Sequence, residues 1–363
     1  MRRTLSRPDA QSHGPQSHGP HLVAGRATVL LYATLAVALL AAVTVGVSLG
    51  TVTVPARDVW QVILRHIVGE TGGLDPLQDQ IVWELRLPRV LVAAVVGASL
   101  SVIGVGLQAL VRNPLADPYM LGITPGASLG AVLVLAIGSA ALHGLGVTSG
   151  AFVAAVLTMT AVFLIAQRSG RLTDTRLILA GVAVGYLAVA ATSFVQLQTN
   201  PNQLAGIMFW LMGSLAGAAW SDLRIPAIAL ALGVVWLFAQ GRALNALMIG
   251  DDAAAGLGID VHRFRRRLLV VTSLMTATVV VVAGGLGFVG LMIPHIARLV
   301  VGAEHRRVLP TSMLVGATFL VLVDLASRTV ARPSELPAGI FTAGIGVPVL
   351  LWLLQRTRRG EAS

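Results

Sequence analysis

The sequence predicts an all-α polytopic membrane protein with about ten transmembrane helices and both termini in the cytoplasm. Of its 363 residues, 55% are hydrophobic and only 12% are charged, whereas a soluble domain carries about 25% charged residues. Apolar runs long enough to cross a bilayer recur along the chain. Arginines cluster in the segments between those runs, as the positive-inside rule expects of a membrane protein.

The composition also excludes several classes of function. The chain has no cysteine, which removes disulfides, thiolate catalysis and iron–sulfur clusters. All 26 basic residues are arginine, so no lysine is present for a Walker A motif or for a Schiff base. If ATP drives this protein, a separate chain must hydrolyse it. The net charge of +10 does not indicate nucleic-acid binding, because no basic patch is interleaved with aromatic residues.

The chain divides into a tail, a membrane domain and a second short tail. Residues 1–26 are polar and contain the direct repeat QSHGPQSHGP, which predicts a disordered cytoplasmic tail. The histidines of this tail could bind a metal, but low complexity explains them better. The membrane domain is predicted over 27–355, and a cytoplasmic C-terminal tail over 356–363.

Ten apolar runs are predicted to span the bilayer, and a shorter run over 207–220 is predicted to be re-entrant or interfacial. The spans are about 27–49, 88–111, 119–139, 149–167, 177–197, 224–240, 268–284, 286–301, 309–327 and 336–355. Nineteen arginines then share the side of the two termini, which predicts that this side is cytoplasmic. The other seven are Arg57, Arg65, Arg86, Arg89, Arg224, Arg328 and Arg332.

Two proline-containing motifs flank the second span. In Leu-Arg-Leu-Pro-Arg, Arg86 and Arg89 lie three residues apart at the outer surface, where they could receive acidic residues of an external partner or simply snorkel. After the span, Arg-Asn-Pro-Leu-Ala-Asp-Pro predicts a rigid cytoplasmic turn. The turn residues are Asn113, Pro114, Asp117 and Pro118.

A loop between the sixth and seventh spans contains Gly-Asp-Asp-Ala-Ala-Ala-Gly-Leu-Gly over 250–258. Asp251 is predicted to cap one short helix, Gly258 to end it, and Asp260 to cap a second short helix. Two capped helices predict a docking surface for a cytoplasmic motor chain, and a solvated loop with an arginine anchor is the alternative.

Two motifs follow near the C-terminus. Gly-Gly-Leu-Gly-Phe-Val-Gly-Leu-Met-Ile-Pro-His over 284–295 predicts a break between two spans, with Pro294 and His295 as residues of a structural turn rather than a proton relay. Ser334 and Glu335 are predicted to cap the last span. Asp324, a carboxylate within a span, is expected to pair with Arg328 four residues later.

These motifs, in this order, resemble the permeases of ABC importers for iron–siderophores, haem and vitamin B12. The resemblance covers about 27–355. It implies a ten-helix subunit that pairs with an identical or homologous permease, two cytoplasmic ATPases, an extracytoplasmic substrate-binding protein and no cofactor. Asp251-Asp252 stands where family members often have two glutamates.

The resemblance also implies roles for individual residues. Arg86, Arg89 and Arg328 correspond to arginines that engage the binding protein. The ATPase-coupling segment comprises Gly250, Asp251, Asp252, Ala253, Ala254, Ala255, Leu257 and Gly258. The gate or pathway residues are Phe209, Leu211, Gly213, Leu215, Gly181 and Gly185.

The cargo predicted from the sequence is an iron–siderophore, with haem or vitamin B12 as alternatives. A bare metal ion would need several oxygen or nitrogen ligands, which the spans almost lack. A proton-coupled secondary transporter is the competing class, and it would need intramembrane relay groups. Asp324 and His295 are the candidates for that role.

Overall fold

The computed structural model describes residues 25–69, 73, 75–138, 146–167 and 173–361. Within these ranges the chain is helical, with turns and irregular segments between the helices. The predicted N-terminal tail lies outside the described residues, except for its last two residues, which begin the first helix. The predicted C-terminal tail starts inside the last helix, which continues to Glu361.

Fifteen α-helices are present in the described ranges, and a π-helical segment, Gln80–Arg86, joins α3 to α4. They are α1 (Gly25–Ser48), α2 (Ala56–Val68), α3 (Pro76–Asp79), α4 (Leu87–Val111), α5 (Ile123–Ile137), α6 (Val147–Ala166), α7 (Asp174–Leu197), α8 (Pro201–Leu211), α9 (Trp220–Ala239), α10 (Gly241–Ile249), α11 (Asp251–Gly256), α12 (Val261–Ala283), α13 (Val289–Val301), α14 (His305–Thr329) and α15 (Ala338–Glu361).

The ten predicted spans are confirmed as ten helices. Seven of these helices are long and apolar enough to cross a bilayer, and three shorter apolar helices accompany them in the described residues. The long set is α1, α4 with its N-terminal extension, α6, α7, α9, α12 and α14; the shorter set is α5, α13 and the apolar part of α15. Helices α1, α9, α12, α13 and α14 all pack against α4, and most residues in the apolar part of its span are buried.

The two ends of the bundle are defined by which helix termini meet. Arg112 after α4, Asp174 of α7 and Arg265 of α12 lie together at one end, called here the inner end. Arg86 before α4 and Arg328 near the end of α14 lie at the opposite, outer end, where both contact the last turn of α1.

Glycine allows α4 to approach its neighbours at backbone distance. A Cβ on Gly104 would lie 2.0 Å from the carbonyl oxygen of Gly290 in α13, and a Cβ on Gly97 would lie 2.2 Å from the carbonyl oxygen of Gly316 in α14. Small residues at helix crossings are the usual means of close packing in lipid, where the hydrophobic effect does not drive helices together.

We expect Gly104→Ala to destabilise the bundle by about 1–3 kcal/mol, because the new methyl group would force α4 away from α13. Gly206→Ala is the matched control, since Gly206 is also helical and a Cβ there would meet no atom within 4 Å. Thermal unfolding of both variants in detergent would measure the difference. Equal melting temperatures would show that the close approach is not needed.

Two segments differ from the sequence predictions. The predicted re-entrant helix over 207–220 is an earlier helix, α8, followed by an irregular segment over 212–219. Asp260 does cap a helix by accepting a hydrogen bond from the backbone N–H of Arg263 at 3.0 Å. However, that helix is the start of the long α12 rather than a second short one, because the apolar run follows without a break.

Candidate functional site

An ion cluster at the outer end contains two of the three predicted docking arginines, Arg89 and Arg328. The Arg89 guanidinium donates to Asp324 Oδ1 at 2.8 Å and to both carboxylate oxygens of Glu335 at 3.0 Å. Arg328 Nε lies 3.0 Å from Asp324 Oδ2, which confirms the predicted pair within α14. Asp324 is fully buried. The two arginines and the two acids neutralise one another in this cluster.

Arg86 and Arg328 also cap the end of α1. The last carbonyl groups of a helix lack partners within the helix and carry partial negative charge. Arg86 Nη1 donates to the carbonyl oxygens of Val47 at 2.9 Å and Ser48 at 3.0 Å, and Arg328 Nη2 donates to that of Gly46 at 3.0 Å. Arg86 and Arg328 therefore stabilise the C-terminal end of α1 from within the protein.

The predicted capping role of Glu335 and Ser334 is wrong. The last helix, α15, begins at Ala338, and the backbone N–H of Ser334 donates to Ala331 in a turn before it. The carboxylate of Glu335 faces Arg89 instead of the helix N-terminus. A partner 246 residues away in the sequence decides the position of this side chain.

The predicted turn after α4 is confirmed at two residues, but it is not simply a cytoplasmic connector. Asn113 Oδ1 accepts from the backbone N–H of Leu115 at 2.9 Å, and Asp117 Oδ1 accepts from those of Tyr119 and Met120. Asp117 is buried, and the Tyr119 hydroxyl donates to the carbonyl oxygen of Gly285 at 3.2 Å.

The turn therefore rises from the inner end into the bundle. Gly285 lies between α12 and α13, and the 13 residues of α13 are roughly 20 Å long at about 1.5 Å per residue. Tyr119 thus lies well above the inner end of that helix. This rise explains why α5 needs only 15 residues to complete its passage.

Pro294 and His295 do not form a turn, which corrects their predicted position. Both lie inside α13, after the predicted break over 284–288, which is confirmed. Proline cannot donate to the carbonyl four residues earlier, that of Gly290. Gln108 of α4 takes this role by donating from Nε2 to the Gly290 oxygen at 3.1 Å, and Arg298 donates to Gln108 Oε1. Gln108 is not among the residues predicted from the sequence; its amide side chain, in a long and mainly apolar helix, was the available signal.

A cavity of about 530 Å³ lies where these segments meet. α13 and α15 begin beside it and α8 ends beside it. The lining is mainly apolar residues and glycines, with Asp117, Tyr119 and Thr342 as its polar members. The predicted pathway residue Leu211 lines this cavity, whereas the half-buried Phe209 does not belong to the lining.

The other predicted pathway residues pack around it. Gly213 adopts φ +78° and contacts Leu286, and its carbonyl oxygen lies 3.4 Å from the backbone nitrogen of Gly339. Leu215 is buried in the same irregular segment. Gly181 and Gly185 of α7 instead allow segment 120–122 to pack directly against that helix. A Cβ on Gly181 would lie 2.4 Å from the carbonyl oxygen of Met120.

The predicted coupling segment protrudes at the inner end. Helix α11 begins directly after Gly250, so Asp251 is its first residue rather than its cap. Gly258 adopts φ +79° just after the helix, as predicted for a terminator. Ala254 is buried, whereas Leu257 is 72% exposed and Ile249, just before the segment, is 78% exposed. Exposed apolar residues at a helical corner are typical of an interaction site.

Four charged side chains connect this segment to three other helices. Asp251 Oδ1 accepts from Arg265 Nη2 of α12 at 2.8 Å and lies 3.6 Å from Arg112 Nη1 at the end of α4. Asp174, at the start of α7, accepts from Arg112 at 2.8 Å and from Arg265. The hydrogen bond with Asp174 is the largest factor that raises the pKa of Arg112. We call Arg112, Asp174, Asp251 and Arg265 the inner network.

Comparisons with known proteins agree with this architecture. Residues 38–356 match the FecCD transport family. An uncharacterised ABC transporter permease, YvrB of Bacillus subtilis (strain 168), is 41% identical over 88% of this chain and 91% of its own length. The vitamin B12 import system permease BtuC of Vibrio cholerae is 42% identical over 81% of this chain and 90% of its own.

A solved structure agrees as well. An inward-facing conformation of an ABC transporter of the metal-chelate type aligns with a TM-score of 0.79 at 31% identity, covering 90% of this chain and 99% of that one. Residues 38–356, which match the family, include the coupling segment, the residues that line the cavity and the outer ion cluster. The chain therefore belongs to the FecCD transport family and is the permease of an ABC importer, a multi-pass protein of the cytoplasmic membrane whose ATPase is a separate subunit.

Proposed function

We propose that this permease imports a bulky metal chelate and that vitamin B12 is its cargo. Similarity to the Vibrio cholerae vitamin B12 permease over nine-tenths of that protein carries the proposal. The mainly apolar, glycine-lined cavity supports it, because a chelate brings its own metal ligands and needs shape more than coordination. An iron–siderophore, the cargo predicted from the sequence, is the second candidate, and the similarity to a transporter of the metal-chelate type supports it.

The transport cycle would be alternating access. ATP binding would close a pair of ATPases beneath the inner end, and Gly250–Gly258 would move with them. The inner network joins that segment to α7 and α12, so the motion would reach both the segment 120–122 and the turn 284–288 beside the cavity. A second permease chain, identical or homologous, would complete the pathway.

We place the inner end in the cytoplasm, because the order of spans predicted from the sequence assigns nineteen of the 26 arginines to that side. The binding protein would then dock at the outer end, around Arg86, Arg89 and Arg328. These three side chains are largely buried and bind partners within the permease, so they would hold the helix ends that form the docking surface and would not contact the binding protein themselves. The exposed Arg57 and Arg332 would be free to meet acidic residues directly.

Reconstitution tests the proposal. The permease, its ATPase and its binding protein would be placed in proteoliposomes, and uptake of labelled cyanocobalamin and of a labelled ferric siderophore would be measured. We expect cobalamin uptake that requires both ATP and the binding protein. Siderophore uptake alone would move the assignment to the second candidate. Accumulation by the permease alone under a proton gradient would refute the importer mechanism and support a secondary transporter.

A further inference from the structure

A groove of about 310 Å³ runs along the outside of the bundle between α6 and α12. Seven of its ten lining residues are apolar, among them Met159, Phe163, Val270 and Leu274. Thr160 turns its hydroxyl back to the carbonyl oxygen of Val156 at 2.8 Å, so it presents little polarity to the groove. The lining therefore suits a hydrocarbon chain.

The groove has the length of one membrane leaflet. It extends along α12 from Arg266, less than two turns from the inner end, to Ala277. The eleven steps from residue 266 to residue 277 rise roughly 16 Å at about 1.5 Å per step, and half of a hydrocarbon core is about 15 Å. Arg266 thus lies at the level of the lipid headgroups.

Arg266 carries a positive charge that no acidic side chain of the described ranges neutralises. Its neighbour Arg263 pairs with Asp260, and Arg265 pairs with Asp174 and Asp251. Arg266 and Arg267 are exposed, and neither forms an ion pair within the described ranges. Of these two arginines only Arg266 lines the groove.

A second groove on the same face provides an internal comparison. It has a volume of about 330 Å³ and lies in the outer half, between α6, α9 and α12. Its lining contains Asp222 and Ser221 but no basic side chain. Apolar side chains form much of the wall in both grooves. The grooves differ in the charged residue of their lining, which is Arg266 in the inner groove and Asp222 in the outer one.

We propose that the inner groove binds an anionic glycerophospholipid of the adjoining leaflet, with one acyl chain along Met159, Phe163, Val270 and Leu274 and its phosphate at Arg266. An arginine at the headgroup level of an apolar groove favours an anionic headgroup over a zwitterionic one. This lipid site is additional to the transport function and would belong to the permease itself.

Charge argues against a second copy of the chain as the occupant. A two-fold axis along the membrane normal would bring surfaces of equal depth together. Arg266 and Arg267 would then face the same two arginines of the partner, and like charges in contact destabilise an interface. A lipid phosphate has the complementary charge.

The test is lipid binding to the full-length permease, delipidated in detergent and titrated with phosphatidylglycerol or phosphatidylcholine in native mass spectrometry. We expect wild type to prefer phosphatidylglycerol, and Arg266→Gln to lose about fivefold of that preference, the contribution of one basic residue near a membrane surface. Arg267→Gln is the matched control, because it removes the same charge from an exposed neighbour outside the groove, and it should keep the preference.

A further variant, Val156→Phe, would fill the groove and should reduce binding of both lipids. Equal binding of the two lipids to wild type, or equal losses in Arg266→Gln and Arg267→Gln, would overturn the proposal. If Val156→Phe instead shifted the protein from dimer to monomer without changing lipid binding, the groove would be an interface between copies, which also overturns it.

Discussion

Replacing Arg89 with alanine is expected to destabilise the permease by about 3–5 kcal/mol, the usual cost of removing one partner from a buried ion pair. Arg89 is the contact that Glu335 and one oxygen of Asp324 share. Without it, the fully buried carboxylate of Asp324 keeps only Arg328 as an ionic partner, and α4 loses its ion pairs with α14 and with the segment before α15. Denaturant unfolding in detergent would measure the change.

Arg332→Ala is the control, because Arg332 is an exposed arginine at the same end and should change stability by less than about 0.5 kcal/mol. A double variant, Arg89→Gln with Asp324→Asn, removes one charge of each sign. It should be more stable than the sum of the two single effects predicts. If Arg89→Ala unfolded like Arg332→Ala and instead lost affinity for the binding protein, Arg89 would be a docking residue.

The arginines at the outer end bind partners within the protein, whereas their spacing in the sequence suggested an external acidic partner. Positive charges on the outer side conflict with the positive-inside rule, and an external acidic partner was the local explanation for Arg86 and Arg89. Their partners are carbonyl groups of α1 and acids more than 200 residues away. Spacing within a helix predicts neighbours three and four residues apart, which is why the Asp324–Arg328 pair was predicted correctly and the Arg89 contacts were not.

The sequence predicted which segments form helices better than it predicted how deep in the membrane each helix begins. Apolar runs identified all ten spans, since each run must cover the bilayer with satisfied backbone groups. Depth depends on packing between helices. The segment after α4 rises into the bundle because Gly181 and Gly185 leave room for it and Gly285 accepts from Tyr119. Asp117 and Pro118 indicate a turn, but no local signal indicates the direction in which the turn travels.

The role of Asp324 also follows from tertiary contacts. A carboxylate within a span is a candidate proton relay by default. Here both of its oxygens lie within 3.0 Å of guanidinium nitrogens, those of Arg89 and Arg328. This geometry favours a structural role and agrees with an ATP-driven importer.

Asp251→Asn is expected to uncouple transport from ATP hydrolysis, whereas Asp252→Asn is not. The two residues are adjacent and the chemical change is identical. Asp251 bonds to Arg265 and lies near Arg112, while Asp252 is exposed and forms no ion pair within the described part of the chain. Replacing a charged hydrogen-bond acceptor weakens each bond that it makes. The segment would still move with the ATPase, but α7 and α12 would follow it less.

We expect cargo uptake by Asp251→Asn to fall about tenfold, corresponding to a coupling loss of about 1.4 kcal/mol, with ATP hydrolysis largely retained. Uptake and hydrolysis would be measured in the same proteoliposomes. Asp174→Asn should reproduce the effect, because it opens the same network from the side of α7. If Asp252→Asn uncoupled the cycle and Asp251→Asn did not, the exposed carboxylate would transmit the motion by touching the ATPase, and the inner network would serve only to hold the helices together.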